Sequence, residues 1–124
     1  MRPNINYNSG TMQVIDGRLV ATLNAKINGV LLEGFRKDLL DKVRDTGVRQ
    51  VIVDVSAILL MDSSDVLYLK DTLDMVGVLG AYPILVGLNK GLVSSLIYLD
   101  VDLGSLRTEL NLEGAIRYFN LRAA

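Results

Sequence analysis

Apolar residues along the chain change their spacing several times, and each change marks an element. Thr11 to Ile15 is short and partly alternating, and Arg18 to Leu23 alternates with Leu19, Ala21 and Leu23 on one face. Asp16-Gly17 lies between the two runs, and these residue types tolerate the positive φ of a tight turn, so a β-hairpin is predicted. Asn24 to Gly29 is polar and loop-like. From Val30 the period becomes helical: Leu31, Phe35, Leu39 and Val43 recur every four residues, with Leu32 and Leu40 beside them. Gly47 is placed to end that helix in the left-handed conformation.

Gln50 to Ser56 carries a continuous β-branched run, which predicts a strand covered on both faces. Asp62-Ser63-Ser64-Asp65 then opens a second helix with a buried stripe of Val66, Leu69, Leu73, Val76 and Leu79. Tyr82 to Val86 is a further buried strand, Asn89-Lys90-Gly91 a turn, and Leu92, Leu96 and Leu99 mark a third helix. Ser105 to Leu110 is expected as a short edge strand. Asn111 caps a last helix with Leu112, Ala115, Ile116 and Phe119 on its buried face. The order β-β-α-β-α-β-α-β-α predicts an α/β fold: one mostly parallel mixed sheet after an N-terminal hairpin, packed with about four helices.

The chain has 124 residues, enough for one domain at roughly 150 residues per domain. We expect a flexible N-terminus over 1–10, a folded domain over 11–121 and a tail at 122–124. Half the residues are hydrophobic and the mean hydropathy is +0.33, so a substantial core is predicted. Thirteen Lys and Arg against fourteen Asp and Glu give a net charge of -1, which argues against nucleic acid or an anionic membrane as a partner. Cys and His are absent, so there is no thiolate nucleophile, no imidazole base and no Cys- or His-based metal site. The longest uncharged run, Met75 to Asn89, is 15 residues and is interrupted by Gly and Pro. A membrane span needs ~20 apolar residues, so a soluble cytoplasmic domain is expected.

Nucleotide-binding glycine motifs and serine-nucleophile motifs are missing, which leaves no catalytic residue to assign and no cofactor to expect. The pairs Asp62/Asp65 and Asp100/Asp102 read as turn and helix-end residues rather than as a metal site. Arg36, Lys37, Lys42 and Arg44 interleave with Asp38 and Asp41 and read as a solvated helix face. The remaining candidate is Leu60-Met61-Asp62-Ser63-Ser64-Asp65, a loop that leaves a buried strand and enters a helix. Asp62 or Ser63 can cap that helix. A phosphate on a serine there would meet the positive end of the helix dipole but would add roughly -1.5 to -2 charges beside two aspartates.

Val51-Ile-Val-Asp54 through Met61-Asp62-Ser63-Ser64, followed by a helix and Gly80-Ala-Tyr-Pro-Ile-Leu-Val-Gly87, resembles the STAS domain family of bacterial anti-sigma-factor antagonists and stressosome proteins. The resemblance runs from about Met12 to Phe119. It implies that Ser63, directly after the aspartate, is a phosphoacceptor, with Ser64 as second choice and Asp62, Asp65 and Asn28 in or beside the phosphorylation loop. Asp38 to Gly47 and Val93 to Leu112 are similar to the single-domain stressosome protein RsbS. That likeness implies a non-enzymatic scaffold that self-associates, joins RsbR-type STAS proteins and sequesters an RsbT-type serine/threonine kinase. The alternative is a monomeric antagonist that controls a sigma factor by partner switching. Two positions depart from the family pattern: Asn28 replaces the usual aspartate, and Asp65-Val66-Leu67 follows the serines in place of Gly-Leu-Gly. Because so small a domain leaves apolar surface outside, Val101, Leu103 and Leu106 are expected as an exposed patch, or else as cover for the sheet edge and last helix.

Overall fold

Asp16 and Gly17 reverse the chain at φ of 52° and 77°, both in the left-handed region that a two-residue hairpin turn needs. In this computed structural model the described residues are 10–24, 27–98, 100, 104 and 106–122. The turn joins β1 (Gly10–Ile15) to β2 (Arg18–Leu23) in an antiparallel register that sets Ile15 opposite Arg18 and Gly10 opposite Leu23. From there every pairing is parallel: β3 (Gln50–Asp54) on β2, β4 (Tyr82–Val86) on β3 and β5 (Arg107–Glu109) on β4. The five strands lie in chain order.

The helices α1 (Gly29–Thr46), α2 (Ser63–Val78) and α3 (Lys90–Tyr98) each connect two neighbouring parallel strands. Crossovers of one hand between sequential neighbours place their helices on one face of a sheet. The main core accordingly packs Phe35 and Leu39 of α1, Leu69 and Leu73 of α2, and Leu92 and Leu96 of α3 against Leu19, Leu23, Val51, Val53 and Leu85. The remaining helix, α4 (Leu112–Arg122), follows β5 and lies on the opposite face, with Ala115 and Phe119 on Ile52, Ile84 and Val86. This two-sided cover explains why β3 and β4 are apolar at consecutive positions.

The expected elements are all present, with instructive differences at their ends. Leu79 is not part of the α2 stripe; it is the C-cap and is half exposed, because Gly80 at φ 93° turns the chain toward β4. Asn89-Lys90-Gly91 is not a free turn: Lys90 and Gly91 form the first turn of α3. Leu106, expected in an exposed patch, is partly buried against the main core. The other members of that patch, Val101 and Leu103, lie outside the described residues, as do Leu99, Asp102, residues 1–9 and residues 123–124. Arg36 is part-buried and not simply a member of the solvated face. Its Nε donates to Thr72 Oγ1 at 2.8 Å, its Nη2 donates to the Tyr68 carbonyl at 2.9 Å, and its guanidinium lies 3.6 Å from the centre of the Tyr68 ring. It joins α1 to α2. Arg44 and Lys37 do behave as an exposed ion-paired face, with Asp41 between them.

Candidate functional site at the carboxyl edge of the sheet

Parallel strands send all their C-terminal ends to one edge, so the loops after β2, β3, β4 and β5 and the N-termini of all four helices gather there. Each helix is closed by a side chain that accepts from the backbone N–H three residues on: Asn28 from Leu31, Asp62 from Asp65, Asn89 from Leu92 and Asn111 from Gly114, at 2.8 to 2.9 Å. This is ordinary N-cap geometry. Three of these caps are neutral amides. Asp62 is the charged one, and it stands at the start of α2 beside the candidate serines.

Of the two residues that could cap α2, Asp62 does so. Its backbone is extended (φ -79°, ψ 170°), and its Oδ1 accepts both the Asp65 N–H and the Ser64 hydroxyl at 2.8 Å. Those bonds, the Asp65 N–H first and the Ser64 hydroxyl second, hold the Asp62 carboxyl below the usual aspartate range. Asp65 is pushed the other way, first by partial burial and then by the negative charge of Asp62. Ser63 is the first residue of α2 and is half-exposed, and no described residue hydrogen-bonds its hydroxyl. The two serines are thus inequivalent: Ser64 is engaged by Asp62, and Ser63 presents a free Oγ at the positive end of a helix.

The loop before Asp62 is firmly held. The Val55 N–H donates to the Val86 carbonyl at 2.9 Å, and the Ile58 N–H to the Val55 carbonyl at 3.0 Å. The Asp54 carboxylate accepts from the Ser56 N–H at 2.8 Å. Gly87, at φ 88°, lies so close that a Cβ there would stand 2.7 Å from Ser56 Cβ. Asn89 does more than cap α3. Its Nδ2 donates to the Ile58 carbonyl at 2.7 Å, which ties α3 to the loop that leads to the serines. The sequence reading missed this residue; the signal available was an amide placed just before an apolar helical run. Ile58 and Met61 point inward, whereas Leu59 and Leu60 between them are exposed.

Asn28 sits at the same edge as the N-cap of α1, next in the sheet order to the loop after β3. The acidic pair Asp62/Asp65 is brought together, and of the pair Asp100/Asp102 the second member lies outside the described residues. Among the described residues no three His, Cys, Asp or Glu side chains converge as metal ligands. Likewise, no described helix is long and apolar enough to cross a membrane.

The family model of the STAS domain matches residues 10–113, most of the chain. This protein belongs to the STAS domain family. Solved STAS structures share its fold at low sequence identity. A serine-to-glutamate variant of RsbS from Moorella thermoacetica superposes with a TM-score of 0.79 at 19% identity, covering 92% of this chain and 97% of the other. A component of the stressosome, described as a signal integration and transduction hub, gives 0.79 at 20% identity over 91% and 98%. The anti-sigma-factor antagonist SpoIIAA in its unphosphorylated form gives 0.66 at 15% identity over 90% and 97%. No curated protein sequence matches the chain significantly. At these identities the solved structures show the fold.

Proposed function

We propose that this STAS domain is a non-catalytic cytoplasmic scaffold of the RsbS kind, which holds a serine/threonine kinase and releases it when that kinase phosphorylates Ser63. The observation that carries the reading is the inequivalence of the serines: Ser64 is bonded to Asp62, and the Ser63 hydroxyl is free at the start of α2. In the transfer, Ser63 Oγ attacks the γ-phosphorus of ATP, loses its proton to a base on the kinase and displaces ADP. The kinase brings nucleotide and magnesium; this chain provides the acceptor oxygen and holds it in place. The new phosphate carries roughly -1.5 to -2 charges and stands beside Asp62 and Asp65. The helix dipole offsets part of that charge within the domain, while a partner surface opposite the loop experiences nearly all of it. Asp62 keeps the loop in register, and Asn28 holds the neighbouring helix start.

The partners in this reading are RsbR-type STAS proteins, further copies of this chain and an RsbT-type kinase. The deciding experiment is incubation with a purified RsbT-type kinase and ATP, followed by fragmentation mass spectrometry. Phosphate on Ser63 is expected; phosphate confined to other residues overturns the assignment. Light scattering of the pure chain, then with an RsbR-type partner, separates the scaffold from a monomeric antagonist that acts directly in sigma-factor partner switching. A strict monomer in both samples ends the scaffold reading.

A further inference from the structure

We infer that Asn28 is a site of spontaneous deamidation, a modification that needs no enzyme and sets an aspartate at the start of α1. Asn28 is the one asparagine in the chain that glycine follows. In this reaction the backbone nitrogen of the next residue attacks the asparagine's own Cγ, so a side chain on that next residue hinders it. Gly29 has none, and a Cβ built there would meet nothing within 4 Å. Both residues are exposed. The Gly29 N–H belongs to the first turn of α1, where no carbonyl of the helix can accept it. The Asn28 Oδ1 accepts the Leu31 N–H at 2.9 Å, which draws electron density from Cγ and favours attack there.

Two other caps provide the comparison. Asn89 and Asn111 accept from the N–H three residues on in the same way. Asn89 precedes Lys90, and its Nδ2 is held by the Ile58 carbonyl; Asn111 precedes Leu112. Three asparagines thus share one capping geometry, and Asn28 alone of them is followed by an unhindered nitrogen.

In the first step the Gly29 nitrogen gives its proton to solvent base and bonds to Asn28 Cγ. The Cγ–Nδ2 bond breaks, and Nδ2 takes up a proton and leaves as ammonia. The product is a five-membered succinimide. Water then opens the ring. Addition at Cγ leaves aspartate on an unchanged backbone, and addition at the main-chain carbonyl leaves isoaspartate, whose backbone runs through Cγ. Ring closure requires rotation about the Asn28 ψ, which is 173° in the cap, so the reaction proceeds from brief openings of this terminal turn. Aspartate caps a helix as well as asparagine does, and its charge faces the positive end of α1. The aspartate form therefore stays folded and adds a negative charge to the edge that carries Asp62 and Asp65.

The test incubates the whole folded chain at mildly alkaline pH for days to weeks, digests it at acidic pH and locates each new acid by fragmentation mass spectrometry. Asn28 is expected to convert at least about 10-fold faster than Asn89 or Asn111, the ratio for a barrier lower by ~1.4 kcal/mol. Isoaspartate beside aspartate at position 28 marks the succinimide route. Gly29→Ala, which the open space at Gly29 accommodates, should bring Asn28 down to the rate of the other two caps. Circular dichroism checks the fold of that variant, and Asn28→Asp serves as the folded standard for the product in native isoelectric focusing. Equal rates at the three caps overturn the inference, as does an Asn28 rate unchanged by Gly29→Ala. Conversion of Asn28 only in urea also overturns it, because the folded domain then protects the site. None of these outcomes depends on whether Ser63 is phosphorylated.

Discussion

Asp62 Oδ1 accepts the Ser64 hydroxyl at 2.8 Å, and this bond separates two adjacent serines that are chemically alike. The bond holds the Ser64 side chain on Asp62, whereas Ser63 has no such bond to any described residue. Ser63→Ala is therefore expected to abolish kinase labelling. It should change stability by less than about 0.5 kcal/mol, because Asp62 and not Ser63 caps α2. Ser64→Ala should keep the label. Phosphopeptide mapping of both variants, with denaturant unfolding of each, checks the pair; a label that survives Ser63→Ala and vanishes with Ser64→Ala reverses the assignment.

The same carboxylates should titrate apart. Asp62 lies below its ordinary value, so its capping bonds add stability that is fully present above the unfolded-state value near pH 4. That contribution is lost as pH falls through the lower, folded-state value. Asp65 lies above its ordinary value, so its charged form is disfavoured in the folded state and it takes its proton first as the solution is acidified. Carboxyl chemical shifts followed by NMR should show Asp65 titrating at higher pH than Asp62. Asp62→Asn should flatten the acid limb of the stability curve. Coincident titration of the two residues contradicts the hydrogen-bond arrangement.

Asn89→Ala removes the α3 cap and the tie to Ile58 in one change. A lost cap costs about 1 kcal/mol, and leaving the Ile58 carbonyl without its partner adds to that. The expected result is a destabilisation of roughly 1–3 kcal/mol with faster amide exchange concentrated in residues 57–62 as well as in α3. Asn28→Ala provides the comparison, since it removes a cap alone: it should cost about 1 kcal/mol and leave exchange in 57–62 unchanged. Uniform exchange changes in Asn89→Ala would show that the tie does not hold the loop.

The strand–helix alternation was legible because buried parallel strands carry uninterrupted β-branched runs, and amphipathic helices repeat every three or four residues. The Asp16-Gly17 turn and the Gly47 stop were legible because few residue types take a positive φ. The loop serines were legible through the family resemblance, and the Asp62 cap through its residue type. Other features depend on contacts between segments far apart in the chain. Asn89 reaches Ile58 across 31 positions, and Arg36 reaches Thr72 across 36. In sequence, Arg36 is one of several charges on α1, and nothing local distinguishes it from Lys37. The exposure of Leu59 and Leu60 is equally invisible in sequence, since it follows from the inward anchoring of Ile58 and Met61 on either side.

Arg36 should therefore behave as a packing residue. Its guanidinium stacks on the Tyr68 ring and bonds both the Tyr68 carbonyl and the buried Thr72. A lysine carries the charge but not the planar fork that serves all three contacts. Arg36→Lys is expected to lose about 1–2 kcal/mol, nearly as much as Arg36→Ala, with phosphorylation of Ser63 retained. Lys37→Ala, on the exposed ion-paired side of the same helix, should cost less than about 0.5 kcal/mol. Urea unfolding of the three variants decides it: a fully stable Arg36→Lys would mean that charge alone suffices.

Ser63→Asp isolates the electrostatic part of the proposed switch. Asp is well tolerated in the first turn of a helix, where its charge faces the positive end of the dipole, so the domain should remain folded and about as stable as wild type. Toward a partner the change is unfavourable, because three negative charges then stand at positions 62, 63 and 65. Any acidic group on the kinase surface that faces the loop is then repelled more strongly. Kinase capture in a pull-down should fall in Ser63→Asp and be retained in Ser63→Ala, with the difference shrinking at high salt as screening shortens the reach of the added charge. Equal capture by both variants at low salt would show that charge at this position does not release the kinase.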